Sequence, residues 1–348
     1  MEARIEVGIL GATGMVGQHF IKFLQGHPWF DLTWLDASDR SAGKRYSDAC
    51  TWHLGAVPHA IAGMTVEESK PGNAPRLLFS AMDAGVATDI ERAFAQAGHV
   101  VVSNSKNHRM ERDVPLLIPE INPDHLKLVP GQQRARGWKG QIVTNPNCAT
   151  ISLCMGLAPV RQFGITKIIV TTLQAISGAG YPGVPSMDIN ANVIPYIGGE
   201  EEKMEQETQK ILGSFRGDHI EALAARVSAN CNRVPVVDGH TVTVSVEFSG
   251  KPSLADVRAA FDNFTSVPQQ RKLPSAPATP VIYMPQQDRP QPRKDAERER
   301  GMAAFVGRLR PCPALDYKFV ALTHNTIRGA AGAAVLNAEL MHSEGMLD

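Results

Sequence analysis

The segment 4–24 constrains this chain more than any other part of it. A short, mainly apolar run, RIEVGIL, ends in a glycine. Gly11, Gly14 and Gly17 follow in GILGATGMVGQHF, and from Val16 to Leu24 apolar residues recur at helical spacing. That order reads as strand, tight turn and helix. Further strands are expected at 32–36, 76–80 and 99–103, with a helix over 88–97 between the last two. Strands alternating with helices imply an α/β chain built on a Rossmann-type, doubly wound parallel sheet.

A chain of 348 residues exceeds what one hydrophobic core usually serves, so two domains are expected. Beyond Cys148 the runs 166–173, 240–248 and 318–323 are β-rich, while 200–212 and 253–263 look helical. This half reads as an α+β domain with a mixed or antiparallel sheet. The stretch 115–140, rich in proline and charge, holds no period and reads as a long connection; 266–301 reads as a long surface excursion. Lys plus Arg balances Asp plus Glu at 35 each, which gives no basis for a nucleic-acid partner or an anionic membrane surface. No leader pattern opens the sequence and no apolar run approaches the ~20 residues that span a bilayer, so a cytoplasmic protein is expected. Five cysteines without CxxC spacing argue against a disulfide framework or a structural zinc, and no metal site is expected because ligands never gather at metal spacing. One cysteine is free to be a nucleophile.

Glycines at the turn let a backbone approach a pyrophosphate, while the helix start supplies free N–H groups and the positive end of its dipole. Taken alone, the same glycines suit a plain strand–helix turn. After the second expected strand, Asp36 is followed by Ala37, Ser38, Asp39, Arg40 and Ser41. Hydroxyls beside an arginine suit a 2′-phosphate, so NADP is favoured over NAD, although Asp36 and Asp39 temper that preference and Arg40 alone would be a solvated charge.

Cys148 sits in VTNPNCATISLCMGL, where Asn145 and Pro146 mark a turn before a helix. A cysteine at a helix N-terminus is stabilised as thiolate, so its pKa is expected to fall and its reactivity toward an acyl carbon to rise. Cys154 and Cys231 read as small buried residues. His240, after an Asp-Gly turn and opening a strand, suits an acid/base role, or a structural one if it stands alone.

These stretches resemble the aspartate-semialdehyde dehydrogenases, in the branch found in archaea and fungi. The strings that carry the likeness are GATGMVGQ, ASDRSAGKRY, LIPEINPDHL, TNPNCAT, LQAISGAGYPGVPSMDI, NVIPYIGGEEEKMEQE, CNRVPVVDGHT and HNTIRGAAG, which run from the first strand to the C-terminal helix. The resemblance implies NADPH-dependent reduction of aspartyl phosphate to aspartate semialdehyde, in lysine, threonine and methionine biosynthesis. It makes Cys148 the nucleophile that displaces phosphate and holds a thioester, with Gln174 orienting the intermediate and His240 as acid and base. It puts Arg233 on the substrate α-carboxylate, Glu200 on its ammonium, Asn147 beside it, and Lys203 with Arg109 on phosphate. Gly11, Thr13, Gly14, Met15, Val16, Ser38, Arg40, Ser41, Ser80, Gly178 and Asn325 are expected at the cofactor. Backbone N–H groups at the start of the Cys148 helix are expected to hold the oxyanion.

The chain departs from the family strings at Thr144, Ala149, Val242 and Gln206. Two other functions stay open: a malonyl-CoA reductase of the same lineage, and a non-catalytic NADP-binding paralogue. The resemblance also implies a homodimer or homotetramer formed through the second domain. The expected limits are 1–147 with 326–348 for the NADP-binding domain and 148–325 for the catalytic one.

Overall fold

The computed structural model describes residues 4–347; residues 1–3 and Asp348, the outer ends of the expected first domain, lie outside the described residues. Six parallel strands form a first sheet: β1 (Ile5–Leu10), β2 (Phe30–Asp36), β3 (Val66–Glu67), β4 (Leu77–Ser80), β5 (Val100–Ser103) and β6 (Gln141–Thr144). Their order is β3-β2-β1-β4-β5-β6. It reverses between β1 and β4, and a doubly wound sheet takes its ligands at that reversal, beyond the strands' C-terminal ends.

The helices that shape the site are α1 (Met15–Leu24), α2 (Ala84–Ala97), α3 (Cys148–Leu157), α4 (Glu200–Ile211), α5 (Leu254–Asp262) and α6 (Gly332–Ser343). Side chains alternate across the first sheet. Ile9, Phe79 and Val102 share a core with Phe20 of α1 and Leu336 of α6, while Leu78, Val101 and Ile142 meet Phe94 and Ala95 of α2. With both faces covered, these strands read as unbroken apolar runs, and each buried side chain contributes ~1.5–3 kcal/mol. The last helix of the chain therefore returns to the first sheet.

The second sheet is mixed. After β7 (Ile165–Gln174) and a small ribbon, β8 (Ser214–Phe215) and β9 (Ile220–Glu221), come β10 (Arg226–Arg233), β11 (His240–Phe248), β12 (Val281–Met284), β13 (Ala304–Pro311) and β14 (Tyr317–Thr323), ordered β10-β7-β11-β14-β13-β12. One face buries Val170, Val244 and Phe248 with residues of α3 and α5. The other leaves Ile169 46% and Leu173 38% exposed, an apolar face without cover in the single chain. Strand register gathers the polar groups: Gln174 pairs with Arg233 across β7 and β10, and His240 opens β11 beside them. Three chemistry-bearing side chains thus reach one end of one sheet.

Two expectations need correction. The stretch 115–140 is not a loose connection, since Leu116, Leu117, Ile118, Leu126 and Val129 are buried. Asn122 accepts the Ile118 N–H and donates to the Leu116 carbonyl, satisfying a backbone without a regular period. The excursion 266–301 is also anchored, through β12 and through the Ser275 N–H, which donates to both carboxylate oxygens of Glu339 on α6. Among the described residues no helix is long and apolar enough to cross a membrane.

Candidate active site

Asn147 caps α3: its Oδ1 accepts the N–H groups of Ala149 and Thr150 at 3.0 and 3.2 Å. Cys148 is thereby fixed as the first helical residue, half-buried, with Sγ 3.1 Å from Nε2 of His240. On the far side of the ring, Nδ1 accepts the backbone N–H of Ala175 at 3.1 Å. A backbone N–H can only donate, so Nδ1 keeps its lone pair and the proton of the neutral ring sits on Nε2, facing sulfur. Burial, then the charges of Arg233 and His324, bring His240 down to about 3, which keeps the ring neutral near pH 7.

The thiol behaves otherwise than the helix-start reading expects. Burial, then Glu200, push Cys148 up to about 12, against Arg109, Arg233 and the Ala149 N–H. Asn147 Oδ1 already accepts from the Ala149 and Thr150 amides, so a developing oxyanion at the helix start would share these two donors with the cap.

Close approach sets the rim. A Cβ on Gly329 would lie 2.7 Å from Cβ of Cys148, and one on Gly178 would lie 2.9 Å from Cε1 of His240 and 3.0 Å from Nη1 of Arg233. Neither position admits a side chain. Gly329 belongs to a π-helical turn, Ile327–Ala331, held from below by fully buried Arg328, which donates to Glu120 at 2.6 Å. Breaking such a buried pair costs about 3–5 kcal/mol.

Around the sulfur, Arg233 donates Nη1 to the Ala175 carbonyl at 2.7 Å. Glu200 accepts from Asn147 Nδ2 with one oxygen and from Lys203 with the other, both at 2.8 Å, whereas Glu201 turns away to the Cys231 N–H at 3.0 Å. Arg109 donates to Glu207 at 2.9 Å and to the Asn104 carbonyl at 2.7 Å. Asn325 accepts the Gly239 N–H and donates to Ser177 Oγ, each at 2.8 Å. The contacts of Gln174 run to Thr172 and Cys231, not to Cys148. Glu207 was not foreseen, yet a signal exists: Glu200, Lys203, Glu207 and Lys210 stand at helical spacing and form one charged stripe.

Two cavities flank the glycine turn. One, about 410 Å³, is lined by Gly11, Thr13, Gly14, Asp36 and Ser38; the other, about 160 Å³, by Met15, Val16, Cys148, Gly178 and Asn325. A dinucleotide crossing the start of α1 would reach from the first to the second, which fits the cofactor expected there. Asp36 is wholly buried, accepts the Gly11 N–H at 3.1 Å, and is raised by burial to about 6, so the turn itself uses this carboxyl. Ser38 and Arg40 are exposed beyond it, and the Ser41 N–H closes on the Ser38 carbonyl. Ser80 is corrected: it is fully buried and spends its hydroxyl on Glu91 at 2.6 Å, supporting the sheet rather than facing a ligand.

A third cavity, about 650 Å³, lies along the other side of α1, and on its wall Asp238, Glu297 and His324 bring ligand-type atoms within 4.8 Å of one another. Linear spacing, on which the expectation of no metal rested, cannot see this group. Within it, His324 Nε2 faces Glu297 at 3.3 Å, a carboxylate 81% exposed.

Comparison with known proteins agrees with this geometry. Residues 6–129 match the family model described as semialdehyde dehydrogenase, NAD binding domain, and residues 157–328 the model described as semialdehyde dehydrogenase, dimerisation domain. The chain is similar to aspartate-semialdehyde dehydrogenase of Archaeoglobus fulgidus, 47% identical over 99% of this chain and 100% of that protein. It is also similar to the Saccharomyces cerevisiae enzyme, 44% identical over 98% of each. The crystal structure of the Candida albicans enzyme with NADP superposes with a TM-score of 0.92 at 43% identity, covering 99% of this chain and 100% of that one. A Cys–His pair ringed by arginines at the mouth of a dinucleotide turn, together with end-to-end likeness to these proteins, means that the chain belongs to the aspartate-semialdehyde dehydrogenase family.

Proposed function

We propose that the chain catalyses the NADPH-dependent reductive dephosphorylation of L-aspartyl-4-phosphate to L-aspartate 4-semialdehyde, by way of a thioester on Cys148. The observation that carries this reading is the 3.1 Å contact between Cys148 Sγ and His240 Nε2, with Arg233, Glu200 and Arg109 around it. Arg233 keeps the rest of its guanidinium for a carboxylate, a match that a fork makes with two parallel bonds. Glu200 takes the substrate ammonium, and Arg109 with Lys203 takes the phosphate.

Substrate binding then favours the thiolate. Glu200 is the strongest charge holding the thiol up, and an ammonium paired with that carboxylate cancels its push. Sulfur attacks the acyl carbon and phosphate leaves. His240 carries its proton on the nitrogen that faces sulfur, so it acts in this step as a donor, first to sulfur and then to the acyl oxygen. A phosphoryl oxygen of the bound acyl phosphate takes the thiol proton as sulfur attacks, and the group leaves as hydrogen phosphate. Residues 11–16 and Ser38 hold NADP, which, when bound, supplies the hydride that reduces the thioester. His240 donates a hydrogen bond from Nε2–H to the departing thiolate, and the proton that restores the thiol comes from solvent.

Amino-acid biosynthesis is the setting, at the step that feeds lysine, threonine and methionine. The reading also takes residues up to 147 with 326 onward as the cofactor domain and 148–325 as the catalytic one. The exposed apolar face around Ile169 and Leu173 supports self-association as a homodimer or homotetramer. A cytoplasmic location goes with this chemistry. Mixing the protein with aspartate semialdehyde, NADP and phosphate tests the reading: phosphate-dependent formation of reduced nicotinamide is expected. Activity confined to malonyl-CoA with NADPH would overturn the substrate, and silence in both would favour a binding protein.

A further inference from the structure

Two side chains of α4 reach beyond the groups used above and grip the bend that carries Arg109. Glu207, 2% exposed, accepts Arg109 Nη1 on one oxygen at 2.9 Å and the backbone N–H of Asn147 on the other at 2.7 Å. One helical turn on, Lys210 Nζ donates to the carbonyls of Arg109, Glu111 and Val114 at 2.7, 2.8 and 2.8 Å. These three acceptors engage all three ammonium protons, and all belong to the same bend. Residues three apart share a helix face, so one rigid surface holds the arginine by its head and its backbone while touching the cap of the nucleophile's helix.

Carbonyls that converge in a buried place need a compact donor with three protons; a guanidinium fork has the wrong shape and an apolar side chain would strand all three. Burial pulls Lys210 down to about 8, against Asp113, Glu111 and Glu207, so it is charged at neutral pH. From its own side the bend is stapled by Glu111, which meets His108 at 2.9 Å, Arg92 at 3.0 Å and Arg136. The seat of Arg109 is thus built jointly by both halves of the chain.

We infer that Lys210 is a positioning residue for the reaction: by gathering these carbonyls it sets Arg109 at the anion-binding end of the Cys148 pocket before phosphate or acyl phosphate arrives. The inference rests on the reading of Arg109 as a phosphate ligand. The cofactor turn lies outside these contacts, so the effect of losing Lys210 falls on phosphate and not on NADP.

Its test is a double-mutant cycle with Lys210→Met and Arg109→Ala in the phosphate-dependent oxidation of aspartate semialdehyde. Lys210→Met is expected to raise KM for phosphate about tenfold, as a sub-ångström to ångström misplacement does, while KM for NADP stays put and excess phosphate restores turnover. Because Lys210 acts through Arg109, the double variant should be little worse than Arg109→Ala alone. A folded Lys210→Met with unchanged KM for phosphate, where Arg109→Ala raises it, overturns the inference; so does full additivity. An Arg109→Ala variant with normal KM for phosphate removes the underlying reading, and the inference with it. Should Lys210→Met fail to fold, Lys210→Gln, which keeps two donors, is judged by the same criteria.

Discussion

At the dinucleotide end, the groups that line the cavity come from short turns at the C-terminal ends of neighbouring parallel strands, residues 11–14 after β1, 36–39 after β2 and 81–83 after β4, with Val86 and Ile90 of α2. At the sulfur end they come from the start of α3, the loop after β7, α4, the ends of β10 and β11, and the π turn before α6. The first is made of backbone and tolerates changes of side chain; the second is made of side chains held by one another and should fail sharply when any is removed. A backbone site is written locally, whereas an assembled site exists only once both sheets are in place.

Breaking the assembled end at its centre should give the largest effect. Cys148→Ala is expected to lower turnover by about 10⁴-fold or more while NADP affinity, followed by fluorescence titration, is retained. Six residues on, Cys154 is buried in the same helix, and Cys154→Ala should cost ~1 kcal/mol of stability and little activity. Comparable activity in the two variants would erase the distinction between the sulfurs.

An intermediate loss is expected from Arg233→Lys, which keeps the charge but not the fork. Steady-state kinetics should show kcat/KM for the semialdehyde down about 10²-fold, with KM for NADP unchanged. A lysine that works as well would mean that Arg233 only pairs with the Ala175 carbonyl. At the backbone end, Arg40→Ala should raise KM for NADP only a few-fold, on the order of 1 kcal/mol, and leave weaker NAD turnover untouched. No change at all would make Arg40 a solvated charge.

The same contrast governs how much was legible in the sequence. The glycine turn, α1, α3 with Cys148 at its head and β11 opening at His240 are each set by neighbours in sequence, and the expected ranges fall within a few residues of those observed. Strand β10 was missed because it alternates charged and polar residues, RVSANCNR, along its exposed side, although Arg233 at its end was found through the family likeness. β6 is four residues long and comes after a stretch whose backbone is satisfied by Asn122 rather than by a regular period. The fall expected in the Cys148 pKa failed for a tertiary reason: burial and Glu200 outweigh the two arginines and the Ala149 N–H at the helix start. Glu207 and Lys210 were not singled out in the sequence, because their role depends on the bend at 109–114 folding onto them.

The most direct test of the central claim mixes the protein with aspartate semialdehyde and NADP in the absence of phosphate, then combines a single-turnover trace with mass analysis of the quenched chain. A burst approaching one reduced nicotinamide per active chain, and an acyl group on the peptide bearing Cys148, is the predicted result. No burst until phosphate is added, or an acyl group on any other residue, would contradict a thioester on Cys148.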